Sequence, residues 1–544
     1  MLVKRCLCIA LIIVLAASMM VGCVKDDKDD AAITEATSDT KTTEKTETAK
    51  EEQGTVAKEE PLKISIALGT SGVTYFDTVP DMNKDKYVQK INEMANVELD
   101  IQMLDHQKFY EQVNLLFASG DLPDILKEYK YNDEIVLQAV EQGLFLDLKP
   151  YISEETTPGI LKNVPEICWD FADIKRDGGI YFVPTYIKLK QHRALYVRKD
   201  LLDEYDLEVP VTLDDYHNVL RTFKDNGIKY PAIGRLNFSW MQSIFSAFGI
   251  PASESDFGYI MDEDGNIVPS AITSRMKEAL TFLRELYEEG LLDPEFLTNT
   301  PEIHRNKILS GDVGMFTHIL TSYDSWNGGL RESVPTGEFI CIDGPVGPDG
   351  YNGSGGYVVP IQQANYINSD VEDPEGIMQF LEWMQTPEAT EFFFFGIEGE
   401  NYTKTNGEIK DYTYPTTQEG IHEFWARRSC LWLVTDLRDN AVVKEWEPSG
   451  ELIAEYSSTL GTRNGVPNVA LLGGPVATYQ KSPELVCQFN ESSLWQEIAA
   501  KIVMGKAEVD EFDTWVETWK SRGGDDVLEE LQAKKNDNLY VVID

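Results

Sequence analysis

The sequence is poor in positive charge, in cysteine and in the short motifs that mark catalytic sites. Across 544 residues, 48 Lys and Arg stand against 92 Asp and Glu, a formal charge of −44. A nucleic-acid ligand needs a basic footprint to displace the counterions of its phosphates, so the mean field here repels it. The same field opposes electrostatic adhesion to anionic lipid. Cysteine is scarce, seven residues with no Cys-x-x-Cys spacing, which argues against a zinc ribbon or a redox dithiol. None of the six histidines (His106, His192, His217, His304, His318, His422) sits in a His-Glu-x-x-His pattern. The nucleophile elbow, the phosphate-binding loop and the dinucleotide fingerprint are also missing. Asp262-Glu263-Asp264-Gly265-Asn266 is the closest metal-like string, but its glycine is misplaced for a calcium loop and Thr273 stands where a bidentate Glu is required. It reads as a hairpin turn between two short strands. Carboxylate pairs carry no weight where acids are this common.

What is present is a large apolar complement. Hydrophobic residues make up 42% and aromatics 10%, enough for about two or three domain-sized units and too much for wholesale disorder. The amino end stands apart from them. Lys4 and Arg5 precede a nearly unbroken apolar run at 7–21, 15 residues long. A bilayer span needs about 20 residues, whereas this length suits a signal-peptide core. The run closes on Met20-Val21-Gly22-Cys23, which resembles a bacterial lipobox. That resemblance implies cleavage after residue 22 and a diacylglycerol on Cys23. The chain is then anchored to the extracellular face of the cell membrane without crossing it; an ordinary secretory signal is the alternative. Residues 24–60 hold no aromatic side chain and read as a disordered polar tether, because they bury too little to offset their ordering entropy. Loss of residues 1–22 removes two cations and no acid, which takes the charge to −46. Cys6 and Cys8 leave with the signal. Cys168, Cys341, Cys430 and Cys487 remain; buried free thiols are the favoured reading, with one disulfide left open.

From Pro61 onward the pattern is α/β. Leu62, Ile64, Ile66 and Leu68 alternate as in a strand, and VELDI at 97–101 is a second. Tyr87, Val88 and Ile91, then Phe109, Val113 and Leu116, follow helical spacing. GGIYFVP at 178–184 and ALYVR from Ala194 are further strand candidates. Thr212 and Asp215 form a capping box, and Asp373-Pro374 and Thr386-Pro387 each open a helix. Trp495, Trp515 and Trp519 recur at helical spacing and read as core. The sum is a fold of doubly wound, mostly parallel sheets with clefts at the strand carboxyl ends.

Lipobox, tether and α/β pattern together resemble a solute-binding lipoprotein of a bacterial ABC importer. GGIYFVPTYIKLKQHRALYVRKDLLDEYDLEVPVTLDDYHNVL at 178–220 is similar to the crossover region of the extracellular solute-binding family that includes maltose-binding protein. KILSGDVGMF at 307–316 and GSGGYVVP at 353–360 are similar to two further strands of that family. EGLLDPEF and GIEGENY point to its large oligosaccharide-binding lipoproteins, a group linked to oligosaccharide and uronate-polysaccharide uptake. The resemblance implies a two-lobed, type II binding-protein fold with a ligand cleft between lobes. Lobe 1 is expected at 61–188 plus 343–396, and lobe 2 at 189–342 plus 397–544. Crossovers are expected near 186–193, 340–344 and 396–401. Capture by hinge closure, delivery to ABC permease subunits, a monomer, no enzyme activity and no cofactor are likewise implied. Many large members carry a calcium loop where this chain has FKDNGIKYPAIG; the oxygen ligands are missing, so no structural calcium is expected there.

A saccharide site needs flat aromatic faces and planar polar groups. Thr74, Tyr75 and Asp77 follow the first strand, and Glu128 and Tyr129 follow the third. Tyr186 and Arg193 flank the first crossover, Trp240 sits in a polar stretch, Tyr323 and Trp326 follow the VGMF strand, and Tyr357 begins the return segment. Trp425, Arg427 and Trp432, with Arg428, form an aromatic–cationic cluster. Arginines this dense in an acidic chain suggest a carboxylate-bearing sugar, with a surface ion pair as the alternative. The four phenylalanines at 392–395 are read as part core and part inter-lobe packing. An extracellular polysaccharide-active enzyme, and a binding lipoprotein for a peptide or a sensor system, stand as alternative functions.

Overall fold

Alternating burial builds the first sheet. Ile64, Ile66 and Leu68 are buried in the strand Leu62–Gly69, which pairs in parallel with Val97–Leu104 from Leu62 opposite Val97 to Gly69 opposite Leu104. The structure is a computed structural model that describes residues 60–544 except 191, 416, 438–447, 461–464 and 473. Cys23, the leader and the tether therefore lie outside the described residues.

The strands are β1 Leu62–Gly69, β2 Val97–Leu104, β3 Ile125–Glu128, β4 Val183–Tyr186, β5 Arg193–Arg198, β6 Tyr230–Ala232, β7 Tyr259–Met261, β8 Ile267–Pro269, β9 Val313–Ile319, β10 Phe339–Ile342, β11 Ile361–Ile367, β12 Thr403–Thr405, β13 Glu408–Lys410, β14 Asn468–Leu471 and β15 Tyr540–Ile543. The first lobe is built on the order β2-β1-β3-β11-β4, with β11 antiparallel to β3 and β4. The second is built on β10-β5-β9-β6 and on β15-β14-β7-β8. Within the former, β5 runs against β9 and β10 while β6 runs with β9. The fold is α/β as expected, but the second lobe is more antiparallel than a doubly wound pattern implies.

Local sequence explains many helix starts. Asp85 accepts from the amides of Tyr87 and Val88 to open Lys86–Ala95. The capping box is present: Thr212 and Asp215 exchange side-chain and backbone hydrogen bonds. Asp373 and Thr386 cap Pro374–Trp383 and Pro387–Phe395. The string at 262–266 is the expected turn, with Gly265 at φ +75° between β7 and β8. GGIYFVP and GSGGYVVP are shifted: the strands they announce are β4 and β11, which begin at Val183 and Ile361.

Two large apolar cores follow the sheets. One gathers around β1–β4 and β11, the other around the helices Leu213–Asp225, Ser274–Glu288 and Leu494–Val503. Trp495 and Trp519 are fully buried in the second, as their spacing suggests. The chain passes between the lobes along two segments that hydrogen-bond to each other: the Ile187 amide donates to the Pro360 carbonyl and the Val358 amide to the Lys190 carbonyl. Residues 343–355, expected on the first lobe, hydrogen-bond to the second: the Leu213 amide donates to the Val346 carbonyl and the Gly355 amide to the Ser246 hydroxyl. The segment after Gly396 also departs from expectation. Ala426, Cys430, Leu431, Leu433 and Val434 belong to the first core, and Tyr402 and Phe424 cover Phe394 and Phe395. The physical reason is the phenylalanine run. All four rings are buried, and Tyr402, Ile409, Tyr412, Tyr414 and Phe424 pack around Phe394 and Phe395.

Cys168, Cys341, Cys430 and Cys487 are free and buried. Burial pushes the Cys168 thiol up to about 12 and raises the other three as well. Thiolate is the reactive form, so iodoacetamide should label none of these four in the native chain and all four in denaturant. Mass spectrometry reads this directly, and labelling of a native thiol would contradict the packing.

Candidate functional site

The first-lobe wall of the cleft forms where β1, β2 and β3 end. The Tyr129 ring lies 4.1 Å from Phe109. Its hydroxyl accepts from the Ser71 amide at 2.9 Å and meets His106 Nδ1 at 3.2 Å. Gly69 leaves room for it; a β-carbon there would collide with the Tyr129 hydroxyl. Tyr129, His106 and Tyr110 line a cavity of about 710 Å³ together with Gln362, Gln363, His422 and Trp425. Trp425 ends the helix Gln418–Trp425, and the amide and hydroxyl of Thr74 both reach His422 Nδ1, at 2.8 and 2.9 Å, which ties that helix to the turn after β1. Aromatic faces and planar amides are the groups that recognise rings edged with hydroxyls.

Beneath this wall two ionisable side chains are buried on opposite faces of β3. Lys127 Nζ donates to the carbonyls of Ser429 and Cys430, and burial pulls its ammonium down to about 8. Among the described residues no well-formed hydrogen bond reaches either carboxyl oxygen of Glu128. Burial first, and then Asp133, push it up to about 8.

The second-lobe wall forms where β6 and β9 end and β5 begins. Arg193 is buried and forks onto Glu254 through Nε, at 2.7 Å, and Nη2. Trp240 stacks on His318 at 4.3 Å and 11°, and the Trp326 ring meets His318 edge-on at 4.9 Å. Burial, reinforced by Arg235, pushes His318 down to about 3, so its imidazole is neutral.

The expected site residues therefore part company. Tyr129 and Trp425 line the first wall with Thr74 beside them, and Arg193 and Trp240 stand at the second; Trp326 meets His318 there but is itself buried in the core around β9. The others do not join them. Tyr75 gives its hydroxyl to Asp85 at 2.6 Å, and Asp77 is exposed on the turn Thr74–Thr78. Glu128 is enclosed below the wall. Tyr186 is buried at the end of β4, and Tyr357 is buried beside the crossover with Lys190 over its ring. Tyr323 packs into the core around β9. Trp432 lies against Phe393 at 5.1 Å and gives Nε1 to the Met384 carbonyl. Arg427 donates to the carbonyls of Phe393 and Phe394, both at 3.0 Å. For Arg427 and Trp432 the structure corrects the sequence reading: the dense cluster is a brace under the phenylalanine helix. His106, Tyr110, Gln362, Gln363, His422, Arg235 and His318 were missed. Four of them had a usable signal, since His106, Tyr110, Arg235 and His318 fall at or just beyond strand carboxyl ends. Gln362 and Gln363 begin β11, and His422 had no local signal. Among the described residues no group of three or more metal-binding side chains gathers, and no helix is long and apolar enough to cross a membrane.

Known proteins share this architecture. A Bacillus subtilis polygalacturonan/rhamnogalacturonan-binding protein, YtcQ, is 21% identical over 86% of this chain and 91% of its own length. Lipoprotein LipO of the same organism is 22% identical over 82% of this chain and 88% of its own length. The solved structure of the Streptococcus pneumoniae ABC-transporter substrate-binding protein FusA, an EF-hand mutant in complex with fructo-nystose, superposes with a TM-score of 0.65 at 18% identity, covering 88% of this chain and 99% of that one. Two lobes joined by a hydrogen-bonded crossover match the type II solute-binding fold. With residues 81–391 matching the model of the bacterial extracellular solute-binding proteins, the chain belongs to that family.

Proposed function

We propose that the chain is the capture component of an ABC importer and that it takes up a carbohydrate, an oligosaccharide, in the cleft between its lobes. The observation that carries this reading is the first-lobe wall: Tyr110, Tyr129 and Trp425 offer aromatic faces beside the amides of Gln362 and Gln363. The relatives' own names, a polygalacturonan/rhamnogalacturonan-binding protein and an ABC-transporter substrate-binding protein, support it. Ligand touching both walls favours the closed arrangement by its differential affinity, and the closed form is what permease subunits receive. The chain acts as a monomer and changes no covalent bond. The signal peptide is 1–22, and the lipid on Cys23 with the tether 23–60 holds the lobes at the extracellular face of the cell membrane; a relative named as a lipoprotein supports the anchor.

A ligand bound by the native state alone raises its melting temperature by mass action. A thermal-shift screen of oligosaccharides is expected to give a clear rise with at least one. Trp425→Ala should weaken that binding about 10- to 100-fold and leave the unliganded melting temperature nearly unchanged. A response to peptides and to no saccharide would sink the reading, as would release of shortened sugars from an incubated glycan.

A further inference from the structure

Among the described residues Arg235 at the second-lobe wall forms no ion pair, and the acid that acts on it, Glu254, is already held by Arg193. We propose that Arg235 binds a carboxylate of the guest, and hence that the guest is an acidic saccharide bearing uronate groups. This rests on the carbohydrate reading above.

Topology places Arg235 at the cleft. Arg193, where β5 starts, pairs with Ile319, where β9 ends, and β6 runs parallel to β9. The loop after β6 therefore leaves the sheet at the edge where the crossover arrives from the first lobe. That loop is held in an uncommon shape, with Asn237, Phe238 and Trp240 all at positive φ, where non-glycine residues are rare. A buried network fixes it. Asn299 Nδ2 donates to the Gly234 carbonyl at 3.0 Å and to Asp293 at 2.8 Å, and Lys307 Nζ reaches Asp293 at 2.7 Å and Asn299 at 2.9 Å.

The fixed loop lays out a column of flat groups. The Arg235 guanidinium lies over Trp240 at 5.1 Å, Trp240 lies on His318, His318 meets Trp326, and Arg305 lies over Trp326 at 5.4 Å. Of the three arginines at this wall, Arg193 is committed to Glu254. Among the described residues Arg235 and Arg305 donate to no acceptor and form no ion pair, and Arg235 feels Glu254 only at longer range. Trp240 Nε1, on a side chain 5% exposed, also lacks an acceptor. A guanidinium stacked by one face keeps its edge N–H groups free, and that edge matches the two oxygens of a carboxylate. A hydroxyl of a neutral sugar needs no cation. A polyanion approaching a chain of charge −44 does, because the mean field opposes it. A sulfate ester shares the anionic chemistry, but the planar fork fits a carboxylate better.

Titration calorimetry on the mature chain tests this with a short oligogalacturonide, its fully methyl-esterified form, and a sulfated neutral oligosaccharide. The acid form is expected to bind, more weakly as salt rises, and to bind at least about tenfold tighter than the ester. Arg235→Gln should cost the acid form about 10- to 100-fold and leave the ester unaffected, while Arg235→Lys recovers part of the loss. Arg305→Gln, a change on an exposed side chain that keeps the fold, should give a smaller loss of the same sign. Equal affinity for acid and ester, or an unchanged affinity in Arg235→Gln, overturns the proposal. A preference for the sulfated sugar overturns the uronate assignment. Binding of no saccharide at all is a different outcome, since it removes the carbohydrate reading itself.

Discussion

Glu128→Gln is expected to stabilise the chain by on the order of 4 kcal/mol at mildly alkaline pH and to change little near pH 4. Glu128 is fully buried, and among the described residues no well-formed hydrogen bond reaches either carboxyl oxygen. Burial and the neighbouring Asp133 raise its carboxyl to about 8, and the Tyr129 amide and Lys130 offset part of that. In the folded chain it therefore stays protonated up to about pH 8, whereas the unfolded chain releases the proton at about pH 4.3. Between those values the unfolded state holds fewer protons, so stability falls as pH rises across the window and levels off above it. Glutamine removes the titration and keeps the shape. His304 and His318, both pushed down to about 3, act in the opposite sense: unfolded imidazoles take up protons below about pH 6.5, and stability falls as pH drops. The difference between variant and parent cancels them. Denaturant midpoints across pH measure it, and parallel profiles for the two proteins would mean that Glu128 ionises freely in the folded chain.

Arg427→Met is expected to cost about 3 kcal/mol of stability and to leave the ligand-induced thermal shift in place. The last carbonyls of a helix have no partner within it and gather its negative pole. Phe393 and Phe394 supply such carbonyls at the end of Pro387–Phe395, and Arg427 Nε and Nη2 donate to them. The guanidinium also lies 4.8 Å over the Tyr87 ring, whose hydroxyl donates to Glu423 at 2.5 Å. Methionine retains most of the apolar volume but leaves both carbonyls buried without a donor. Trp425→Ala should show the reverse pattern, with stability kept and the ligand shift lost. If Arg427→Met instead removes saccharide binding and keeps full stability, Arg427 belongs to the cleft after all.

Much of the fold was legible because its signals are local. Alternation in LKISIAL, the Thr212–Asp215 box and the two Xaa-Pro helix starts each depend on side chains within a few residues of the backbone they organise. The expectation of a crossover near Tyr186 came from strand, proline and capped helix following one another without interruption. Residues 343–355 were expected on the first lobe, but they bind the second through partners such as Val346 with Leu213, more than a hundred positions apart. Site residues divided the same way. Tyr129 was singled out because it follows a strand, and it lines the cavity. Arg427 and Trp425 look equivalent in the sequence, two positions apart, yet the turn of the helix sends one under the phenylalanines and the other into the cavity.

The sequence by itself determined the acidic balance and the α/β pattern, since composition and short-range periodicity set these. Tertiary structure alone decided which aromatic rings line the cavity and which are core, that Arg193 takes the Glu254 fork while Arg235 stacks on Trp240, and that Glu128 is sealed away from water. Each of those outcomes depends on groups brought together from distant segments, and whether a charge finds its partner is a property of the folded surface.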